Sequence, residues 1–200
     1  MTSRDIRLDH KIIYSVIDQG SRVLDLGCGE GDLLYLLARD KQVIAQGIEM
    51  DDKAIQECVK KGLSVFHDDI ESGIREYPEH AFDFVILNQS MEEVKNVDSL
   101  IQDALRIGKK VIVGFPNFAY IKSRWMMFFK GRAPVTKSLP YSWFDTPNVR
   151  FLSIIDFKEF CFDKGIRILS AHYLGEKRVL RFFPNLFALN AVFVLTKGDN

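Results

Sequence analysis

A glycine-rich loop near the start of the chain constrains the fold more than any other feature of the sequence. Residues 23–31 read Val-Leu-Asp-Leu-Gly-Cys-Gly-Glu-Gly, a short run of buried-strand character that leads into glycines at alternate positions. Gly27, Gly29 and Gly31 let the backbone turn sharply and approach a ligand without Cβ collisions. An amphipathic segment, residues 32–39, follows at once. A strand, a glycine loop and a helix in this order predict the first half of a nucleotide-binding βαβ unit.

The rest of the chain alternates between short β-branched runs and amphipathic segments. Predicted strands cover residues 22–26, 43–48, 64–66, 82–87, 110–115, 167–173 and 191–196, and predicted helices cover 32–39, 52–61, 97–107 and 154–164. Gly62 and Gly108 come just after two of these helices, where a left-handed residue is usual. This order predicts a mostly parallel α/β sheet with helices on both faces, folded as a single domain over residues 1–200.

Residues 116–150 interrupt that order with prolines, aromatic residues and positive charge. An irregular segment of this length inside a compact domain is usually functional. We expect it to form a cap insertion over the carboxyl ends of the strands, where open α/β sheets bind their ligands.

Composition argues against several classes of protein. Lys+Arg and Asp+Glu each number 27, so the chain has no net charge with which to attract nucleic acid or an anionic membrane. The cysteines lack metal-ligand spacing, and we predict neither a disulfide framework nor a metal site. Residues 1–11 lack the apolar core of a signal peptide, and the apolar stretch at 182–195 is too short and too broken to span a membrane. We therefore expect a cytoplasmic protein.

Acidic residues follow the next two predicted strands. Glu49 lies about 20 positions after the loop, where an acidic side chain binds ribose hydroxyls in nucleotide-binding units. Asp69, after the third strand, could accept a hydrogen bond from an adenine amino group. Asp32 occupies the place of the third glycine in the dinucleotide fingerprint, and its charge would repel a pyrophosphate. S-adenosylmethionine (SAM) has no phosphate, so the sequence favours SAM over NAD and disfavours a nicotinamide oxidoreductase.

The loop, Glu49 and Asp69 together resemble the class I SAM-dependent methyltransferases. The resemblance implies a Rossmann-like sheet of seven strands, mostly parallel, whose last strand runs antiparallel. It places the loop around the methionine part of SAM, Glu49 on the ribose and Asp69 beside adenine. S-adenosylhomocysteine (SAH), the demethylated form, would bind in the same site. The loop residues implied to bind the cofactor are Asp25, Gly27, Cys28, Gly29 and Gly31.

Three short sequence motifs later in the chain are more specific than the glycine loop. Residues 115–118, 131–137 and 139–148 carry Phe-Pro-Asn-Phe, Gly-Arg-x-Pro-Val-Thr-Lys and Leu-Pro-Tyr-x-Trp-x-Asp-Thr-Pro-Asn. These motifs closely resemble those of the methionine biosynthesis protein MetW family. The end of the fourth strand is also similar, and it adds Asn88 and Gln89 to the residues implied to bind the cofactor. The resemblance implies a role in methionine biosynthesis with homoserine O-acyltransferase as partner.

The cap segment allows two interpretations. Tyr141, Trp143, Asp145 and Asn148 could line a pocket for a methyl acceptor, with Asp145 as general base and Tyr141 as a further catalytic candidate. Alternatively, the segment is a structural cap held by proline turns and packed rings. None of the histidines falls in the predicted site, and no residue has the setting of an activated nucleophile.

Positive charges and aromatic side chains are interleaved in the same segment. The basic residues are Lys122, Arg124, Lys130, Arg132 and Lys137. Such a pattern can bind nucleic acid or a membrane, but it is more often an amphipathic helix or a protein interface. We predict a protein partner, with no nucleic acid and no stable membrane association, and the chain could also form a homo-oligomer. Glu92 and Glu93 are expected on a solvated face.

Two functions agree with these features. In the first, the chain is a SAM-binding, methyltransferase-like protein of methionine biosynthesis that acts with homoserine O-acyltransferase. In the second, it is an active SAM-dependent methyltransferase of a small carboxylic or amino-acid-derived molecule.

Overall fold

One sheet forms the centre of the structure, a computed structural model that describes residues 6–198; residues 1–5 and 199–200 of the predicted domain lie outside the described residues. The strands are β1 Arg22–Leu26, β2 Ile44–Glu49, β3 Ser64–His67, β4 Phe82–Asn88, β5 Gly108–Pro116, β6 Ile166–Leu174, β7 Val179–Leu180 and β8 Asn190–Lys197. Their order across the sheet is β3-β2-β1-β4-β5-β8-β6-β7.

Helices connect most of these strands. They are α1 Leu8–Val16, α2 Asp32–Lys41, α3 Asp52–Lys60, α4 Ile70–Gly73, α5 Val97–Ile107, α6 Ile121–Lys130, α7 Ile154–Asp163 and α8 Pro184–Phe187, with a 3₁₀ helix at Met91–Glu93. Within residues 6–198, no helix has both the length and the apolar character needed to cross a membrane.

The strand pairing creates a switch point beside β1. β1 pairs in parallel with β2 on one side and with β4 on the other, while β8 runs antiparallel to both β5 and β6. The chain therefore leaves β1 toward one edge of the sheet and later resumes on its other side. Open sheets of this kind leave a crevice at the carboxyl ends of the strands that flank the switch point.

Two details differ from the sequence-based expectation of fold. The sheet has eight strands rather than seven, because a tight turn, in which the Gly175 N–H donates to the Arg178 oxygen (2.9 Å), adds the two-residue β7 beside β6. Gly62 is left-handed as expected (φ +74°), but Gly108 is extended (φ −109°) and starts β5 directly. A Cβ on Gly108 would lie 2.7 Å from Val85 Cγ2, so this glycine is required for close packing rather than for a cap.

Both faces of the sheet are buried, which explains why the central strands read as continuous apolar runs. α1 and α2 cover one face through Ile13, Ile17, Leu34 and Leu37. α5 and α7 cover the other face, where Phe157 packs against Phe115 and Phe193 of the sheet.

Residues 116–150 contain α6 followed by irregular chain. The segment is anchored at both ends by backbone hydrogen bonds. At its start the Asn117 N–H donates to the Leu189 oxygen (2.7 Å), and at its end the N–H groups of Val149 and Arg150 donate to the Glu92 oxygen (3.0 and 3.2 Å). Since Glu92 lies just after β4, the segment ends against the carboxyl edge of the sheet.

Candidate functional site

The glycine loop between β1 and α2 has a left-handed backbone at each of its glycines. Gly27, Gly29 and Gly31 have φ values of +76°, +53° and +76°. The N–H groups of Gly27 and Cys28 both donate to the Ile48 oxygen (2.8 and 3.3 Å), which ties the loop to the end of β2. The loop geometry thus requires glycine for backbone conformation.

The glycines differ in what surrounds them. A Cβ on Gly29 would meet nothing within 4 Å, so the backbone there faces open space. A Cβ on Gly31 would lie 2.5 Å from Leu63 Cδ1 and 2.7 Å from Cys58 Sγ. Gly31 therefore allows α2 to pack beside α3 and β3, whereas Gly29 leaves room beside the loop.

Glu49 at the end of β2 holds this loop in place. Its Oε2 accepts from the Gly29 N–H (2.8 Å), and its Oε1 accepts from the N–H groups of Met50 and Asp51 (2.9 and 3.0 Å). A carboxylate fixed by three backbone donors is oriented before any ligand arrives.

Two cavities meet at the glycine loop. The larger, of about 730 Å³, is lined by Glu49 and Asp69 together with Gly27, Gly29 and Gln89. The smaller, of about 280 Å³, shares those last three residues and adds Asp25, Cys28 and Asn88. All the residues predicted to bind the cofactor therefore line one or both cavities, except Gly31. We refer to the two cavities together as the cleft.

Asp25 lies at the base of the smaller cavity with 4% of its surface exposed. Burial, reinforced by the negative charge of Glu49, raises the pKa of Asp25 to about 7. This carboxyl group is consequently poised to ionise when a positive group comes near.

α1 contributes residues that the sequence did not reveal. Arg7 lines the smaller cavity and forms a two-point ion pair with Asp9 (Nε–Oδ1 3.1 Å and Nη2–Oδ2 2.5 Å). Asp9 also accepts from Asn88 Nδ2 (3.0 Å). Burial favours the neutral acid, but the charge of Arg7 and the Asn88 hydrogen bond hold the pKa of Asp9 below its usual value. No local motif marks Arg7 or Asp9, because their contact with β4 depends on how α1 packs across the sheet.

His10 corrects the expectation that no histidine falls in the site, since it lines the smaller cavity beside Asp32. Burial lowers the pKa of His10, against the opposing charge of Asp9, and so favours the neutral imidazole. Asp32 itself is paired with Lys61 (2.7 Å).

Of the two adjacent acids Glu92 and Glu93, only Glu92 differs from the expectation of a solvated face. Glu92 is buried, with 2% of its surface exposed, and burial raises its pKa to about 7. Glu93 lines the larger cavity, where partial burial and the charge of Glu49 raise its pKa. The neighbouring apolar residues Met91 and Val94 are buried and carry Glu92 into the protein, whereas Glu93 is exposed as expected.

The cap residues separate into three groups. Tyr141 lines the larger cavity and also a cavity of about 270 Å³ that lies within the cap. Trp143 and Asn148 line only the cap cavity. Asp145 is exposed and lines none of these cavities; its N–H donates to the Ser142 oxygen (3.2 Å). The structure thus places Tyr141, but not Asp145, next to the cleft.

Comparison with known proteins assigns the chain to a family. The family model described as methionine biosynthesis protein MetW matches residues 7–195. The chain belongs to the MetW family. The bifunctional methionine biosynthesis protein MetXA/MetW of Rhodopirellula baltica is 34% identical over 164 residues, which cover 77% of this chain and 26% of that protein.

Other relatives extend beyond the MetW family. The ubiquinone biosynthesis O-methyltransferase of Photorhabdus laumondii is 27% identical over 60% of this chain and 52% of its own length. This MetW-family chain therefore spans about a quarter of the first relative and about half of the second. A SAM-dependent methyltransferase from Archaeoglobus fulgidus has the same fold, with a TM-score of 0.68 at 16% identity over 96% of this chain and 91% of its own. The MetW-family chain thus has the class I methyltransferase fold.

Proposed function

We propose that this chain binds SAM, and its demethylated form SAH, in the cleft, and that it acts in methionine biosynthesis together with homoserine O-acyltransferase. The observation that carries the proposal is the junction of Glu49 with the glycine loop, because it joins an oriented carboxylate to a backbone that leaves room for a ligand.

The charges in the cleft fit the charges of SAM. The sulfonium and the ammonium group of SAM are positive, and the cleft is lined by Asp25, Glu49, Asp69 and Glu93. The methionine part also carries a carboxylate, and Arg7, which also pairs with Asp9, supplies a cation at the smaller cavity. Complementary charges of this kind favour SAM over a ligand that carries only negative charge.

An unpartnered polar atom indicates a ligand at the same place. Gln89 Nε2 is buried and has no hydrogen-bond partner, whereas the unpartnered Asn88 Oδ1 packs against Gly114 of β5. Buried polar atoms without a partner are rare in proteins, because each one costs the free energy of a lost hydrogen bond, and a bound ligand can supply the missing partner. Gln89 lines both cavities of the cleft, so the site fits a ligand with a hydrogen-bond acceptor for this amide group.

The position of each residue in the cleft suggests the part of SAM that it would bind. Glu49, at the larger cavity, would accept from the ribose hydroxyls, and Asp69 would accept from the adenine amino group with the oxygen that does not bond the Glu71 N–H. Asp25, Cys28 and Asn88 would surround the methionine part beside Arg7. When bound, SAM supplies an activated methyl group; these residues hold and orient it.

The same charges disfavour NAD. A pyrophosphate beside the glycine loop would approach Glu30 and Asp32, and although Lys61 pairs with Asp32, Glu30 and Asp25 also line this cavity. A dinucleotide would therefore meet more negative than positive charge.

The link to homoserine O-acyltransferase is supported by the family and by the Rhodopirellula relative, whose name combines MetXA with MetW. A single polypeptide that contains both parts keeps them together at a high effective concentration. We propose that separate chains achieve the same association through a binding surface.

An active methyltransferase of a small carboxylic or amino-acid-derived molecule is the second candidate. It is favoured by Tyr141, which lines both the cleft and the cap cavity and could align an acceptor with the methyl group. Alignment alone can supply roughly 7–11 kcal/mol of a barrier. Asp145 is a poorer candidate for the base, because it lines neither cavity.

Calorimetry with SAM, SAH and NAD tests the shared premise. We expect SAM and SAH to bind and NAD not to bind; no measurable affinity for SAM and SAH would refute the proposal. Acyltransferase assays with and without the chain and SAM separate the two candidates. A change in acyltransferase rate supports the first, whereas methyl transfer to a carboxylic acceptor with no effect on the acyltransferase supports the second.

A further inference from the structure

α6 exposes an apolar face that nothing in the described chain covers. Ser123 is its one buried residue, while Trp125, Met127, Phe128 and Phe129 are exposed, Phe128 to 82%. A helix of 10 residues is marginally stable without tertiary packing. Burial of these side chains by a partner would supply the packing that α6 lacks.

The irregular part of the cap extends this face. Trp143 and Phe144 are 78% and 73% exposed, and Met127 of α6 lines the cap cavity together with Trp143. We define the cap face as Trp125, Met127, Phe128, Phe129, Trp143 and Phe144. Contiguous exposed aromatic and methionine side chains are typical of protein interfaces.

The rings of the cap face are packed in two groups, one on α6 and one at Trp143 and Phe144. Phe129 lies 5.6 Å from Trp125 and 4.8 Å from Phe128 between ring centroids, and Lys130 Nζ lies 5.0 Å from the Trp125 ring centroid. Trp143 and Phe144 form a further edge-to-face pair at 5.7 Å. Rings that are held in place lose less freedom when a partner binds.

The charge around the cap face argues against a second copy of the chain as its occupant. Residues 118–144 contain five lysines and arginines and no aspartate or glutamate. Glu176 pairs with Lys122 and Lys137 (3.8 and 3.1 Å), so the remaining positive charge comes from Arg124, Lys130 and Arg132. A symmetric dimer through this face would set the same positive patch against itself. An apolar groove rimmed by carboxylates would instead meet these cations with opposite charge.

We infer that the cap face is the surface on which homoserine O-acyltransferase docks, through an apolar groove rimmed by acidic residues. This inference rests on the partnership in the proposed function and adds the surface that mediates it. Tyr141 lies two residues before Trp143 and lines the cleft. A partner on the cap face therefore lies beside the wall of the cleft, where it would sense whether SAM is bound.

Binding measurements between the chain and the homoserine O-acyltransferase of the same organism test the surface. Phe128→Ser removes the most exposed ring of the cap face, and Phe162→Ser on α7 is the matched control because Phe162 is 85% exposed outside it. We expect Phe128→Ser to weaken binding about 30-fold or more, as for an interface hot spot, and Phe162→Ser to change it less than about twofold. SAM affinity, measured by calorimetry, should stay the same in both variants.

Charge reversal gives an independent test of the same surface. The double variant Lys130→Glu with Arg132→Glu should weaken acyltransferase binding and reverse its dependence on salt, whereas Lys53→Glu, exposed on α3, should not. If the acyltransferase binds the wild type and Phe128→Ser equally well, the surface is wrong and the partnership stands. If the wild type does not bind the acyltransferase, both the surface and the partnership fail.

Two outcomes would point to other occupants. Light scattering that finds a wild-type dimer and a Phe128→Ser monomer, with unchanged acyltransferase binding, would assign the face to a second copy. Wild-type binding to vesicles of phosphatidylserine and phosphatidylcholine that Phe128→Ser loses, again with unchanged acyltransferase binding, would assign it to a membrane surface. Either result overturns the inference.

Discussion

The Glu49 carboxylate accepts a 2.8 Å hydrogen bond from the Gly29 N–H, so the acid at the end of β2 and the loop after β1 form one structural unit. Gly29 is also the glycine beside which the backbone faces open space. The carboxylate proposed to bind the ribose therefore also fixes the wall of the cleft.

Substitution of Glu49 tests this unit. Glu49→Ala should weaken SAM binding by about 1.5–3 kcal/mol, because it removes a charged hydrogen-bond acceptor. The protein should remain folded, since the β2 strand keeps its ladder to β1 and β3. Calorimetry gives the affinity, and the control is Glu57→Ala on α3, where the half-exposed carboxylate pairs with Lys60 and lies outside the cleft lining. An unchanged affinity in Glu49→Ala would contradict the ribose assignment.

Substitution of Arg7 tests whether the methionine part of SAM binds at the smaller cavity. Arg7→Met keeps most of the side-chain length and removes the cation at the smaller cavity, so SAM and SAH affinity should both fall by about 1.5–3 kcal/mol. Lys11→Met removes an exposed cation from α1, the helix that begins directly after Arg7, and should leave affinity unchanged. Equal affinities for the two variants would show that Arg7 does not face the ligand.

The contrast between Glu49 and Arg7 shows what a sequence can predict here. The glycine loop, Glu49 and Asp69 each follow a strand of the parallel sheet, and successive parallel strands bring their carboxyl ends together. Their meeting follows from topology alone. Arg7 and Asp9 reach Asn88 only because α1 packs across the sheet in one particular way, and no periodicity encodes that position.

Glu92 and α6 illustrate two further limits of prediction from the sequence. The charge of Glu92 suggested solvent, but its buried neighbours Met91 and Val94 decide its position. The interleaved charges and rings of α6 predicted an amphipathic helix or a protein interface, but not which side chains are covered, and this helix buries only Ser123. A face that is reserved for a partner has the same composition as one that packs within the chain.

Alanine substitutions of three glycines should separate strain from function. Gly20, Gly29 and Gly31 all have positive φ, so each alanine variant should lose about 1–2 kcal/mol of folding stability to backbone strain. Gly31→Ala should lose roughly 1–3 kcal/mol more, because its Cβ would collide with Leu63 and Cys58.

Gly29→Ala and Gly20→Ala form the matched pair, since neither Cβ meets an atom within 4 Å. Their stabilities in urea should agree, but only Gly29→Ala should lose SAM affinity, because its methyl group enters the cleft. Normal SAM binding by Gly29→Ala would place the ligand elsewhere.

Burial of Glu92 predicts a pH-dependent stability. Its folded-state pKa is raised to about 7, so between about pH 4.5 and 7 the folded protein keeps a proton that the unfolded chain releases. Stability from this group is therefore greatest at low pH and is lost as pH rises to 7. Wild type should lose about 2 kcal/mol more than Glu92→Gln between pH 5 and 7 in urea unfolding. Parallel curves for the two proteins would contradict this.

Asp25 predicts a proton linkage in ligand binding, because its pKa is raised to about 7 in the protein without ligand. A positive ligand beside Asp25 favours the carboxylate, so SAM binding below pH 7 should release up to about one proton and strengthen as much as tenfold per pH unit. Above pH 7 the carboxylate is already ionised, so the gain should level off. Calorimetry in buffers of different ionisation enthalpy counts the proton directly. Asp25→Asn should bind more weakly at pH 8 and show a flatter pH profile, since no charge remains to be formed at that position; if it released the same number of protons as wild type, another group would have to supply them.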